Sequence, residues 1–271
     1  MPRSAIVGNL VIDEVAGGPP RPGGAVFYCG TALRRIDPDA DVVLVCRCAE
    51  EDRGTLLPAV EALGFPVVWR PAEHTTRFAF HYEGDRRIMR LEERGDPWAP
   101  EDVGGWLADA IGDAEWVLVG ALTRDDFPLA TLGALTARGH RLVLDAQGLV
   151  RRGTLGPLQT GGDVDRRVLE HITALKLNDE EAEALCGGTD EGHLRGLGVP
   201  EIVLTLGSQG ALILSGEEAT RVDAIPVDGP VDPTGAGDSF LVAYAVERLR
   251  GATPGEAGAF ASRFVSTIIA R

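Results

Sequence analysis

The chain has 271 residues, with 26 Lys and Arg against 41 Asp and Glu, a formal net charge of −15. At 44% hydrophobic and 25% charged, it has the composition of a folded globular protein and not of a disordered one. The acidic balance argues against a nucleic-acid groove and against a polybasic membrane anchor, and no apolar run approaches the roughly 20 residues that span a bilayer.

Met1-Pro2-Arg3-Ser4 leads straight into the strand-like run Ser4 to Gly8. This predicts a chain without a secretory signal, cytoplasmic, with small-molecule partners. A Gly-rich stretch follows, Gly17-Gly18-Pro19-Pro20 and Pro22-Gly23-Gly24, and then a helix over 25–36. Val42 to Cys46 is a second strand, Glu50 to Leu63 a helix ended by Gly64, and Pro66 to Trp69 a short strand. Thr76 to Phe80 and Arg86 to Leu91 flank Glu83-Gly84-Asp85, which is hairpin chemistry and predicts a small β lid over 73–97. From Trp116 an α/β rhythm returns. Strands are expected at 116–120, 141–145, 174–177, 202–205 and 211–214, with helices at 125–137, from 179, at 235–249 and at 256–269. Alternating strands and helices predict one α/β domain over 1–271, its mostly parallel sheet covered by helices on both faces.

Cys29, Cys46, Cys48 and Cys186 lack the ligand spacing of a zinc site and read as buried thiols. Lys176 is the sole lysine, which reads as coding bias.

The segment Asp232-Pro233-Thr234-Gly235-Ala236-Gly237-Asp238 runs into an apolar helical pattern. Gly-Ala-Gly therefore sits at a helix N-terminus, where unpaired amides and the helix dipole favour an anion and small residues let it approach. Asp238 in the first turn can take a proton from a hydroxyl that attacks phosphorus. The segment resembles the signature of the ribokinase-like sugar kinases, the PfkB family. Further resemblances follow in the family's order. Asn178 and Glu181 resemble its Asn-x-x-Glu motif, although alone they would read as a helix cap. Thr205-Leu206-Gly207-Ser208-Gln209-Gly210 resembles its nucleotide-side loop, and Asp13 with Gly23-Gly24 its substrate half.

The resemblance implies the ribokinase-like fold and a phosphotransferase using ATP and Mg²⁺. Asp238 would be the base, with Gly235, Ala236 and Gly237 as the anion hole. Asp13, Gly23, Gly24, Asp145 and Gln147 would bind the acceptor, although Asp145, at a strand end, could equally cap the next segment, and Asn178, Thr205, Gly207, Gly210, Thr234, Gly235 and Gly237 would bind the nucleotide. Glu181 and Asn178 would hold Mg²⁺ through water. In place of an Asn that sugar-binding members often carry, this chain has Val26-Phe27-Tyr28-Cys29. Three stretches, 22–28, 91–97 and 143–151, look most like the myo-inositol kinases of archaea, so a cyclitol acceptor is expected, with a sugar or nucleoside as the alternative. Arg87 and Arg90 read as a solvated hairpin face. The need for a monovalent cation stays open. Paired edges would allow a homodimer through the lid. A dinucleotide oxidoreductase is disfavoured because Gly8-Asn9-Leu10-Val11 lacks Gly-x-Gly-x-x-Gly, and no P-loop motif occurs. A non-catalytic binding relative is the remaining alternative.

Overall fold

The computed structural model describes residues 3–15, 18–83, 86–227 and 234–270. Its strands are β1 (Ser4–Asn9), β2 (Val11–Val15), β3 (Arg21–Gly23), β4 (Val42–Ala49), β5 (Val67–Ala72), β6 (Thr76–Glu83), β7 (Arg86–Glu93), β8 (Trp116–Gly120), β9 (Arg141–Asp145), β10 (Gly156–Pro157), β11 (Ile172–Asn178), β12 (Glu201–Thr205), β13 (Ala211–Ser215) and β14 (Glu218–Val222). The helices are α1 (Ala25–Ile36), α2 (Arg53–Glu61), α3 (Pro100–Gly104), α4 (Trp106–Ile111), α5 (Leu129–Ala137), α6 (Gln147–Val150), α7 (Asp179–Cys186), α8 (Glu191–Arg195), α9 (Ala236–Leu249) and α10 (Pro254–Ile269).

Nine strands form the main sheet in the order β14-β13-β12-β11-β9-β8-β1-β4-β5. All neighbours pair in parallel except at β13 and β14. Both faces are buried, which is why the strands read as unbroken apolar runs. Alternation divides them: Ala5 and Val7 face the core under α4, α5, α7 and α8, while Ile6 joins the core under α1, α9 and α10. Strand order reverses at β1, with β4 on one side and β8 on the other. In open α/β sheets a ligand crevice lies outside the carboxyl ends of the strands at such a reversal.

A second sheet, β10-β7-β6-β2-β3, stands apart from the first. The sequence predicts only its hairpin. Two of its other strands, β2 and β3, come from chain expected as the loop after the first strand. Leu10 turns the chain out of β1, and β2 then pairs in parallel with β6, Val11 opposite Thr76 and Asp13 opposite Phe78. That pairing joins distant segments and leaves no local signal. Val11, Phe78, Leu91 and Leu122 form a small apolar cluster beneath this sheet. The turn residues Gly84 and Asp85 lie outside the described residues.

Helix limits also differ from expectation. The helix expected from Asp125 starts at Leu129, after Pro128. The Asp126 carboxylate accepts from the Leu122 and Thr123 amides, which holds the preceding residues in a loop. The stretch 100–111, passed over in the sequence, forms α3 and α4, with Trp106 donating to Asp102.

Candidate active site

The N-terminus of α9 is the centre of the site. Gly235 precedes it with φ 75°, the left-handed conformation that favours glycine, and a Cβ there would come 3.0 Å from the Tyr28 ring. Asp238 stands in the first turn of α9. Asp232 and Pro233 lie outside the described residues.

Two hollows meet at this helix start. One is lined on its polar side by Asp13, Gln147, Arg151, Thr234 and Asp238, and on its apolar side by Val11, Phe78, Met89 and Leu122. Gly24, Ala25, Tyr28 and Gly235 complete it. The other, a cleft of about 330 Å³, is lined by Ala236 and Gly237 together with Lys176, Asn178, Thr205, Gly207 and Gly210. Asp238 thus opens on the first hollow while the two residues before it border the second.

Asp13 is held from two directions. Tyr28 Oη donates to its Oδ2 at 3.2 Å. Gly23 leaves room for it, because a Cβ on Gly23 would fall 2.3 Å from Asp13 Oδ2. The pair Gly23-Gly24 was expected to let a ligand approach α1. In the structure only Gly24 lines the hollow, and Gly23 seats the Asp13 carboxylate.

Asp145 was expected to meet an acceptor hydroxyl or to cap the segment after its strand. The structure shows the second, and Asp145 is absent from the lining of the first hollow. Its Oδ2 accepts from Lys176 Nζ at 2.7 Å and its Oδ1 from the Gln147 amide at 3.0 Å. Thr234, expected on the nucleotide side, lines the first hollow instead. Asn178 and Glu181 form a reciprocal cap: Glu181 N donates to Asn178 Oδ1 at 2.8 Å and Asn178 N to Glu181 Oε2 at 2.9 Å. Glu181 is buried and lies outside the cleft's lining, which Asn178 joins. Arg90 is exposed and pairs with Glu92 at 2.9 Å. The Arg87 side chain lies outside the described residues.

The electrostatics follow from this packing. Burial, then Asp145, pushes the Asp238 carboxyl up to about 6, against Lys176 and Arg151. Burial alone would lower Lys176, but Asp145, Glu181 and Asp238 outweigh it and push the ammonium up to about 12. Burial, then Asp145, raises Glu181. Cys29, fully buried against Asp238, is raised by burial. A carboxylate near 6 beside a helix N-terminus can hold or release a proton at neutral pH. Sequence reasoning missed Arg151 and Lys176 as members of this site. The available signal for Lys176 was one lysine among arginines, placed two residues before Asn178.

Residues 84–271 match the pattern of the pfkB family carbohydrate kinases. The ribokinase of Bacillus subtilis (strain 168) is 26% identical over 250 residues, covering 90% of this chain and 80% of that protein. Among solved structures, a pyrophosphate-dependent kinase in the ribokinase family, complexed with a pyrophosphate analog and myo-inositol, has a TM-score of 0.82 at 21% identity. It covers 98% of this chain and 94% of that one. Arabidopsis thaliana ribokinase complexed with ribose and ATP has a TM-score of 0.72 at 20% identity, with 99% and 92% covered. The structural likeness establishes a ribokinase-like fold, and the family match over more than half its length places this chain in the pfkB family of carbohydrate kinases.

Proposed function

We propose that the protein transfers the terminal phosphoryl group of Mg-ATP to one hydroxyl of a small polyol, a cyclitol of the myo-inositol kind. The observation that carries this reading is the position of Asp238, which opens on one hollow while Ala236 and Gly237 border the other. A base there reaches a hydroxyl on one side, and the amides of the helix start reach a phosphate on the other.

In this reading Asp13 and Gln147 orient the acceptor. An ionised carboxylate accepts two hydroxyl bonds well, as a polyol requires. The opposite wall, Val11, Phe78, Met89 and Leu122, suits the C–H face of a ring. Asp238 accepts the proton of the attacking hydroxyl. The amides of Gly235, Ala236 and Gly237 stabilise the charge spread over the transferring group. The second sheet acts as the lid, supplying Phe78 and Met89 to the pocket and excluding water.

Asn178, Thr205, Gly207 and Gly210 face the donor phosphates. The cleft adjoins a hollow bordered by Ile225, Gly255 and Ala259, across the hydrogen bond from Ser262 to the Asp223 carbonyl. Ile225 is 44% exposed, an apolar platform fit for a purine. Asn178 lines the cleft, and Glu181, buried behind that lining, caps it. Both offer oxygens, the type a hard cation takes, and because Mg²⁺ keeps most of its waters, Asn178 would meet it through water, with Glu181 acting from behind through the same water shell. When bound, Mg²⁺ neutralises donor phosphate charge.

The test is product formation from Mg-ATP, and separately from pyrophosphate, across myo-inositol, other cyclitols, ribose, fructose and nucleosides. Preference for a cyclitol with ATP supports the full reading. A sugar or nucleoside preference removes the cyclitol, and transfer only from pyrophosphate removes ATP. No turnover with any pair contradicts the reading.

A further inference from the structure

Lys176 lies on β11 in register with Asp145 on β9. Their side chains are 6% and 9% exposed, and they pair at 2.7 Å. Burying two charges costs several kcal/mol in desolvation, and an apolar pair of similar volume is often as stable or more so. Stability is therefore a weak reason for the pair. Its surroundings point elsewhere. A Cβ on Gly237 would fall 2.9 Å from Lys176 Nζ and 3.8 Å from Asp145 Oδ2. The ion pair thus packs directly on the backbone between Ala236 and Asp238. Lys176 borders the cleft on one side of that backbone, and Asp238 opens on the hollow at the other.

We propose that Lys176 is a positioning residue for phosphoryl transfer: clamped on Asp145, its ammonium fixes the Gly237 backbone and supplies the positive charge against which the Asp238 carboxylate works. This rests on the functional reading above.

Among the described residues, groups from separate parts of the fold act on Asp238. They are Asp145 at the end of β9, Lys176 on β11, Arg151 after α6 and Cys29 on α1. Glu181 on α7 acts on Lys176 in turn. Asp145 and Lys176 influence Asp238 with opposite signs, so each single change leaves the other uncompensated. Lys176→Met removes the cation and keeps Asp145, which makes the Asp238 carboxylate harder to form. Asp145→Asn removes the anion and does the reverse. Lys176→Arg keeps the charge with a different shape. Lys176→Met combined with Asp145→Asn removes both members of the pair, so neither is left buried without the other.

The experiment measures kcat/KM against pH for wild type and these four variants, with Tm recorded alongside. The expected result is an acid limb moved up by about one pH unit in Lys176→Met and down in Asp145→Asn. Lys176→Arg keeps the limb near wild type. The double variant keeps it there too, but loses at least about tenfold in plateau kcat because nothing fixes Gly237. A folded Lys176→Met protein with wild-type limb and plateau overturns the proposal. If that variant does not fold, a double variant with wild-type plateau kcat overturns it instead. The limb has a second readout that needs no turnover. It is the pH above which the Tm gap between each background and its Asp238→Asn counterpart stops widening, which is set by the folded carboxyl and must move in the same directions. An inactive wild type contradicts the functional reading, and the Tm readout then decides this one separately.

Discussion

In the proposed reading the site has a donor wall and an acceptor wall, and the donor wall comes from short runs of chain. Ala236-Gly237, Lys176 with Asn178, and Thr205 to Gly210 each supply neighbouring residues from a strand end or a helix start. The acceptor wall is gathered from Asp13 on β2, Tyr28 on α1, Phe78 and Met89 on the second sheet, and Gln147 and Arg151 around α6. A phosphate can be met by consecutive backbone amides, so its wall is local. A polyol offers hydroxyls in several directions, so its wall needs side chains that only tertiary pairing brings together.

The contrast can be broken one side at a time. On the acceptor side, Asp13→Ala should lower kcat/KM for the acceptor by about 10²-fold, since it strands the hydroxyls that the carboxylate accepts. Donor affinity, read by calorimetry, should stay within a few fold. Gly23→Ala should reproduce most of that loss, because its Cβ would meet Asp13 Oδ2 at 2.3 Å. If Gly23→Ala keeps full acceptor affinity, Asp13 is not held where the structure places it.

The next effect is a pH dependence. Asp238 must be ionised to act as a base, and its carboxyl lies at about 6. kcat/KM should therefore fall about tenfold per unit below pH 6 and level off above it. A profile flat down to pH 4.5 would contradict the assignment.

A smaller effect is on stability. The folded Asp238 carboxyl, at about 6, lies above its unfolded value of about 3.9. The stability it contributes is complete below the unfolded value and is lost as pH rises through the folded one. Asp238→Asn should therefore be more stable than wild type by about 3 kcal/mol at pH 8, a gap that closes below pH 4. Thermal unfolding at the two pH values reads it, and a less stable variant at pH 8 would refute it.

The smallest is at the root of the second sheet. Arg77 pairs with Asp52 at 2.7 Å and with Glu93 at 2.9 Å. These partly exposed pairs are worth about 1 kcal/mol. Arg77→Ala should lower Tm slightly and raise the acceptor KM a few fold while leaving donor binding alone. An equal change in donor affinity would mean that the two walls move together.

The same division decides what could be read from the sequence. The main sheet was legible because strands buried on both faces are continuous apolar runs, as in Trp116 to Gly120. The start of α9 was legible because Gly235, Ala236, Gly237 and Asp238 are consecutive. β2 was not, since Val11 to Val15 carries no turn before it and finds its partner at Thr76 to Phe80. The role of Gly23 was half legible: the pair of glycines stood out, but the reason lies in Asp13, reached only through the β2–β3 pairing. Asp145 was placed correctly at a strand end, yet its partner is Lys176, fixed by the register of β9 on β11. A lone lysine gives no hint of that register.

The most direct test of the account is phosphoryl transfer by Asp238→Asn, compared with wild type at pH 8 and saturating donor. The account predicts a fall in kcat of at least about 10³-fold, with donor and acceptor affinities kept within a few fold. Turnover within tenfold of wild type would contradict it, because the proton of the attacking hydroxyl would then leave by another group.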